Sequence, residues 1–225
     1  MDLKRIARNI STQWLLIGAQ LVISVLMTPF LVRRLGDDGY GIIALISGLV
    51  GYHGILYFGL GAAVVKYVAE HHAKDDRQAL DETVSTIFTI YLGIGTLWLL
   101  LSLALLRPLP WLFNLHPGQV GDARAMLLMM GFALFVHFPG SVYGGVVMGL
   151  ERFDVLNRYN FTLLVVRNLA TFLAVSRYPS VVLVGVINMV TLLAEPVVAA
   201  VFARRLLPEL KITVRAFSRA RAKQL

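Results

Sequence analysis

Two ionisable side chains stand inside long apolar stretches, where a charge is costly to keep and therefore marks structure or function. Arg167 lies within the apolar stretch Tyr159–Ser176, and Glu195 lies within the next one, Ser180–Ala203. Each residue is eight positions from the end that the two stretches would share as antiparallel neighbours. The spacing therefore predicts an Arg167–Glu195 charge pair at matched depth.

Such a pair has two interpretations, which the sequence leaves open and which can coexist. In the first, Arg167 and Glu195 neutralise each other and fix the register of two helices. In the second, both face a water-filled cavity, where Arg167 binds an anionic group. Arginine suits a phosphate because its planar guanidinium donates two parallel hydrogen bonds.

Four further polar residues complete the predicted substrate-binding set. Lys66 ends an apolar stretch and is also placed to extend toward lipid headgroups. His53 lies within that stretch, and His137 lies beside Pro139. Either histidine could gain and lose a proton during a transport cycle, although histidines that only pack between helices are commoner. The set closes with two amides, of which the second is expected to bond a neighbouring helix: Asn168 and Asn188.

Metal and enzyme chemistry find little support in the sequence. The adjacent acids Asp37-Asp38 and Asp75-Asp76 have basic neighbours in polar links, so solvated loops explain them better than Mg²⁺ ligands. Successive residues of a helix do not share a face, which argues against a metal site at Glu70-His71-His72. There is no cysteine, no HExxH and no GxSxG. We expect no metal, no cofactor and no enzymatic activity.

The composition is that of an integral membrane protein. Hydrophobic residues make up 57% of the chain and charged residues 15%, and the mean hydropathy is +0.72. Soluble domains are about a quarter charged. The net charge of +8 comes from basic residues in short links and near the C-terminus. This distribution favours contact with a membrane surface over binding of nucleic acid.

The apolar stretches predict an all-α integral membrane fold, a bundle of six transmembrane helices without strands. We expect residues 1–203 to form this six-helix lobe and residues 204–225 to be a basic cytoplasmic tail or inter-lobe link. The six predicted spans are residues 10–32, 40–65, 84–106, 125–150, 159–176 and 180–203.

The distribution of Lys and Arg predicts the orientation. If the N-terminus is inside, fifteen basic residues lie on the inner side, five lie on the outer side, and Arg167 lies within a span. Basic residues concentrate in cytoplasmic loops. Both termini are therefore expected in the cytoplasm, and the links around Asp37 and Pro117 are expected outside.

One link carries a recognisable motif. Residues 28–41 read TPFLVRRLGDDGYG, and this run resembles the first extracytoplasmic turn of the polysaccharide-biosynthesis, O-antigen (Wzx-type) flippases. These belong to the multidrug/oligosaccharidyl-lipid/polysaccharide exporter superfamily. Further similar runs follow in order along the chain: Gly59-Leu60-Gly61 with Lys66-Tyr67, residues 149–154 (GLERFD), and residues 207–210 (LPEL).

The resemblance implies a flippase of the bacterial cytoplasmic (inner) membrane. Such a protein moves undecaprenyl-diphosphate-linked oligosaccharide across the bilayer for O-antigen, lipopolysaccharide or other surface polysaccharide assembly. The family has two lobes around a central cavity, and this chain supplies one lobe. Lipid-linked oligosaccharide, membrane lipids, a second lobe or second copy, and polysaccharide-assembly proteins are the implied partners. The alternatives are a truncated, non-transporting interaction protein and a cation-coupled drug exporter of the same superfamily.

Overall fold

The chain is a bundle of long α-helices in this computed structural model. It describes the backbone of residues 3–222 and the side chains of residues 14, 16–52, 54, 61–219, 221 and 222. The helices are α1 (Leu3–Gly51), α2 (His53–Ala73), α3 (Arg77–Leu105), α4 (Leu109–Leu112), α5 (Pro117–Gly149), α6 (Phe153–Arg177), α7 (Val181–Leu206) and α8 (Arg219–Ala222), with a 3₁₀ turn at Val214–Ala216.

The predicted fold class is confirmed, since the described residues contain long apolar helices and no strand. Among them, five helical segments are long and apolar enough to cross a membrane: residues 16–51, 77–105, 117–149, 153–177 and 181–206. The chain is a multi-pass membrane protein. The count of six crossings stays a prediction, because the first two predicted spans are arranged differently from the expected pair of separate helices.

Helix α1 runs through the first predicted link and contains a break at Gly36. This residue has φ 74° and ψ 171°, a conformation that essentially only glycine adopts. The break lies within the charged link, between the arginine pair and the aspartate pair. The second predicted span is interrupted at Tyr52, which keeps helical dihedral angles. Four glycines within residues 41–54 weaken helix continuity there.

Helix α5 lies at the centre of the bundle and packs most extensively against α7 and α3, and also against α2 and α1. Small residues on α5 allow the backbones to approach closely. A side chain at Gly140 would collide with Pro196 of α7, and one at Gly145 would lie 2.6 Å from Val64 of α2. At these positions the glycines therefore serve helix packing.

Two apolar clusters occupy opposite ends of the bundle. One gathers residues beside the predicted outer links, including Leu109, Val175 and Val181. The other gathers residues beside the predicted inner links, including Leu80 and Leu156. The links therefore alternate between two ends, as successive membrane crossings require.

The segment after α7 folds back onto α3. Asp81 Oδ1 accepts a hydrogen bond from Lys211 N at 3.1 Å, and Ser85 Oγ accepts one from Thr213 N at 3.1 Å. Ser85 also donates to the Lys211 carbonyl at 3.3 Å. Residues 207–222, which we call the C-terminal strap, thus bond to the buried hydroxyl of Ser85 and to the more exposed carboxylate of Asp81 on α3.

Candidate functional site

A cavity of about 400 Å³ lies between α1, α6 and α7. Its volume is within the range of small-ligand sites. Both charged residues singled out by the sequence, Arg167 and Glu195, contribute to its wall. The described lining residues are Leu16, Ile17, Gln20, Asn160, Leu163, Leu164, Arg167, Thr191 and Glu195.

Helical periodicity brings the polar lining residues together. Asn160, Leu164 and Arg167 are spaced i, i+4 and i+7 on α6, which places them on one face. Thr191 and Glu195 are spaced i and i+4 on α7, and Gln20 contributes from α1. Two amides, a hydroxyl and two opposite charges therefore converge on one cavity with otherwise apolar walls.

Arg167 is half-buried on α6. Within the described part of the chain, its guanidinium makes no hydrogen bond or ion pair. A guanidinium carries five N–H donors, and a charge at the centre of a bilayer costs roughly 2.5–3.5 kcal/mol on insertion scales. An anionic ligand in the cavity would offset part of this cost by accepting those donors.

Glu195 approaches His137 of α5 instead of pairing with Arg167. Its Oε2 lies 3.9 Å from His137 Nδ1, a distance too long for a hydrogen bond. His137 is buried, whereas Glu195 is partly exposed. The expected direct Arg167–Glu195 ion pair is not formed among the described side chains. The reason is that the cavity separates the α6 wall from a glutamate that packs toward α5.

Three of the remaining predicted residues, Lys66, Asn168 and Asn188, are not among the lining residues of the cavity. Lys66 is on α2, which packs against α3 and α5, and its ammonium lies 5.0 Å from the centroid of the Tyr67 ring. Asn168 donates to the Leu164 carbonyl of its own helix at 2.7 Å. Asn188 is one turn before Thr191 on α7 and is half-buried. The side chain of His53 lies outside the described residues.

Three polar lining residues were not predicted from the sequence: Gln20, Asn160 and Thr191. A signal for two of them was present, because Asn160 is two turns before Arg167 and Thr191 is one turn before Glu195. Gln20 is a polar residue within an apolar run, but nothing local indicates which helices it faces. No group of three metal-ligating side chains occurs among the described residues.

Long apolar helices around a cavity lined by two half-buried charged residues are the architecture of a multi-pass membrane protein with a candidate binding site. Residues 16–173 match the MatE family, and the chain belongs to this family. Two curated relatives also match the chain. The "Uncharacterized membrane protein EpsK" of Bacillus subtilis (strain 168) is 21% identical over 211 residues, and the "Putative O-antigen transporter" of Shigella flexneri is 23% identical over 146 residues.

These matches cover 90% and 64% of the chain, but only 40% and 34% of the two relatives. The chain therefore spans less than half of the length of either protein. No solved structure matches it significantly. The family resemblance is confirmed, including similarity to one protein named as a putative O-antigen transporter.

Proposed function

We propose that this chain supplies one lobe of a flippase for lipid-linked oligosaccharide, with undecaprenyl diphosphate as the carrier. The observation that supports this most directly is Arg167. It lines a cavity between membrane helices and has no protein partner among the described residues. The similarity to a protein named an O-antigen transporter supports the choice of substrate.

The cavity chemistry fits the part of such a lipid that most needs help in crossing a bilayer. A diphosphate is strongly hydrated, and bidentate bonds from Arg167 would replace part of its water. The amides of Gln20 and Asn160 provide further N–H donors. The prenyl chain can remain in lipid, so a cavity of about 400 Å³ needs to hold only the head.

We further propose that the protein resides in the bacterial inner membrane with both termini in the cytoplasm. The excess of fifteen inner over five outer basic residues supports this orientation. A second lobe or second copy would close the cavity and provide the alternating access that flipping requires. Polysaccharide-assembly proteins would then take the delivered lipid.

Binding of undecaprenyl diphosphate to the purified chain in detergent tests the role of Arg167. Charge-assisted hydrogen bonds contribute about 1.5–3 kcal/mol each, so Arg167→Gln should weaken binding about tenfold to hundredfold. The matched control is Arg177→Gln, an exposed arginine on the same helix, which should bind like the parent. Equal binding by the parent and Arg167→Gln would refute the proposal.

A cation-coupled drug exporter is the second candidate, favoured by Glu195 and its contact with His137. A carboxylate in a cavity attracts cationic drugs as readily as an arginine attracts phosphate. Binding of tetraphenylphosphonium to the parent and to Glu195→Gln separates the two functions. A flippase should show no saturable, Glu195-dependent binding of this cation, whereas an exporter should bind it more tightly than undecaprenyl diphosphate.

A further inference from the structure

A second cavity lies at the end of the bundle where α6 begins and α7 approaches its end. Its volume is about 340 Å³, and its lining is Arg152, Asp154, Val155, Arg158, Tyr159, Thr162 and Phe202. Arg158 and Arg167 are nine residues apart, which is about 13.5 Å along the axis and two and a half turns. The two arginines therefore face opposite sides of α6, and the cavities are distinct.

Of the three charged side chains that line this second cavity, two pair with each other and one does not pair with any described residue. Arg152 Nε donates to Asp154 Oδ1 at 3.3 Å, so these two residues largely neutralise each other. Arg158 is exposed, and its side chain makes no ion pair or hydrogen bond within the described part of the chain. The cavity consequently carries one net positive charge, located on a guanidinium that is available to a ligand.

Tyr159 forms another part of the wall. Its hydroxyl oxygen is fully buried and makes no hydrogen bond to any described residue, so the ring, and not the hydroxyl, faces the cavity. Successive residues of a helix do not share a face. Arg158 is therefore the group that a ligand oxygen in this cavity can reach.

The remaining wall is apolar, formed by Val155, Phe202 and the carbon atoms of Tyr159 and Thr162. An anion that is only soluble gains nothing from such a wall, whereas a lipid gains burial of its first methylenes. The cavity lies at the terminus of two membrane helices, where lipid headgroups meet protein. The cavity therefore combines one positively charged side chain, Arg158, with an otherwise largely apolar lining.

We propose that this cavity binds the phosphate headgroup of a membrane lipid, with Arg158 as the donor to the phosphate oxygens. A phosphodiester carries one negative charge, which matches the net charge of the site. Arginine forks suit phosphate oxygens, and the acyl chain lies against Phe202 and Val155. The assignment does not depend on the flippase proposal, since it uses none of the residues of the Arg167 cavity.

Native mass spectrometry of the full chain in detergent, titrated with dioleoylphosphatidylglycerol, tests the site. Arg158→Gln should weaken binding of the tightest lipid about tenfold. The matched control, Arg177→Gln, removes an exposed arginine from the other end of α6 and should leave that binding unchanged. Arg167→Gln should also leave it unchanged, which separates this result from the test of the flippase site.

Two further probes identify what the site recognises. Dioleoylglycerol has the same chains without the phosphate, and its binding should be weak and independent of Arg158. Inorganic phosphate should compete only at far higher concentration, since it lacks the apolar contacts. Equal losses in Arg158→Gln and Arg177→Gln would reduce the effect to general surface charge and overturn the proposal. Equally strong binding of inorganic phosphate would overturn the assignment to a lipid.

Discussion

The contact between Gly140 of α5 and Pro196 of α7 provides a sharp test of the packing. A Cβ at Gly140 would overlap Pro196 Cβ and lie 3.1 Å from its Cγ. The proline ring is fixed in its helix and cannot rotate away, so the helices must separate or the ring must shift. At Gly144, four residues later on the same helix, a Cβ would meet no atom within 4 Å.

Gly140→Ala and Gly144→Ala therefore raise the helix propensity equally, but only Gly140→Ala creates a steric conflict. Replacing glycine by alanine in a helix gains about 1 kcal/mol, and overpacking by one methyl group costs about 1–3 kcal/mol. We expect Gly140→Ala to be less stable than Gly144→Ala by about 1–3 kcal/mol. On the scaling of soluble domains of this size, the thermal midpoints should differ by about 2–12 °C.

The measurement is thermal unfolding of both purified variants and the parent in one detergent, followed by circular dichroism at 222 nm. Glu195 directly precedes Pro196, so displacement of the proline should also disturb the Arg167 cavity and weaken ligand binding in Gly140→Ala. Equal midpoints for the two variants, or a lower one for Gly144→Ala, would show that α5 and α7 do not pack through this contact.

Two other features give predictions of their own. Gly36→Ala should lower the thermal midpoint of unfolding, because the dihedral angles of Gly36 cost a non-glycine residue roughly 1–3 kcal/mol. The control Gly41→Ala should not lower it, since the added methyl group meets open space. Equal midpoints for the two variants would contradict the break at residue 36. Lys74 lowers the pKa of Glu70 below its ordinary value of 4.5, chiefly through a 2.7 Å hydrogen bond and then through its charge. Glu70 lies beyond the predicted second span, so Lys74→Gln should raise that pKa in an NMR titration of the carboxyl carbon. The pKa of Glu70 is lower in the folded state than in the unfolded state. The contribution of the Glu70–Lys74 pair to stability should therefore be present above about pH 4.5 and be lost as the pH falls through the folded pKa. An unchanged pKa of Glu70 in Lys74→Gln would refute the pairing.

The fold class could be predicted because the length of an apolar run limits what it can form. An uncharged stretch long enough for the hydrocarbon core must pair its own backbone polar groups, and a helix does so without neighbours. The break at Gly36 was foreseeable as a turn, since charges flank it. The interruption at Tyr52 was not, because glycine-rich segments are compatible with both continuous and interrupted helices.

The candidate site was only partly accessible from sequence. Arg167 and Glu195 line one cavity because both lie near the middle of neighbouring helices, 14 residues after the start of α6 and 11 residues before the end of α7. Such depth can be counted along the chain. The contact of Glu195 with His137 could not be predicted in this way, since it depends on how α7 is rotated against α5. The rotation of α7 about its axis is set by the packing of small residues such as Gly140. A glycine has no side chain from which its packing partner could be predicted.

The C-terminal strap has a mechanical consequence for the bundle. It leaves the end of α7 and bonds to α3 through Asp81 and Ser85, while α5 packs between these two helices. The strap therefore links the end of α7 to α3 across α5, and its hydrogen bonds resist separation of these two helices. A tilt that moves the end of α7 away from α3 would pull on the strap, so α7 and α3 should move together around α5.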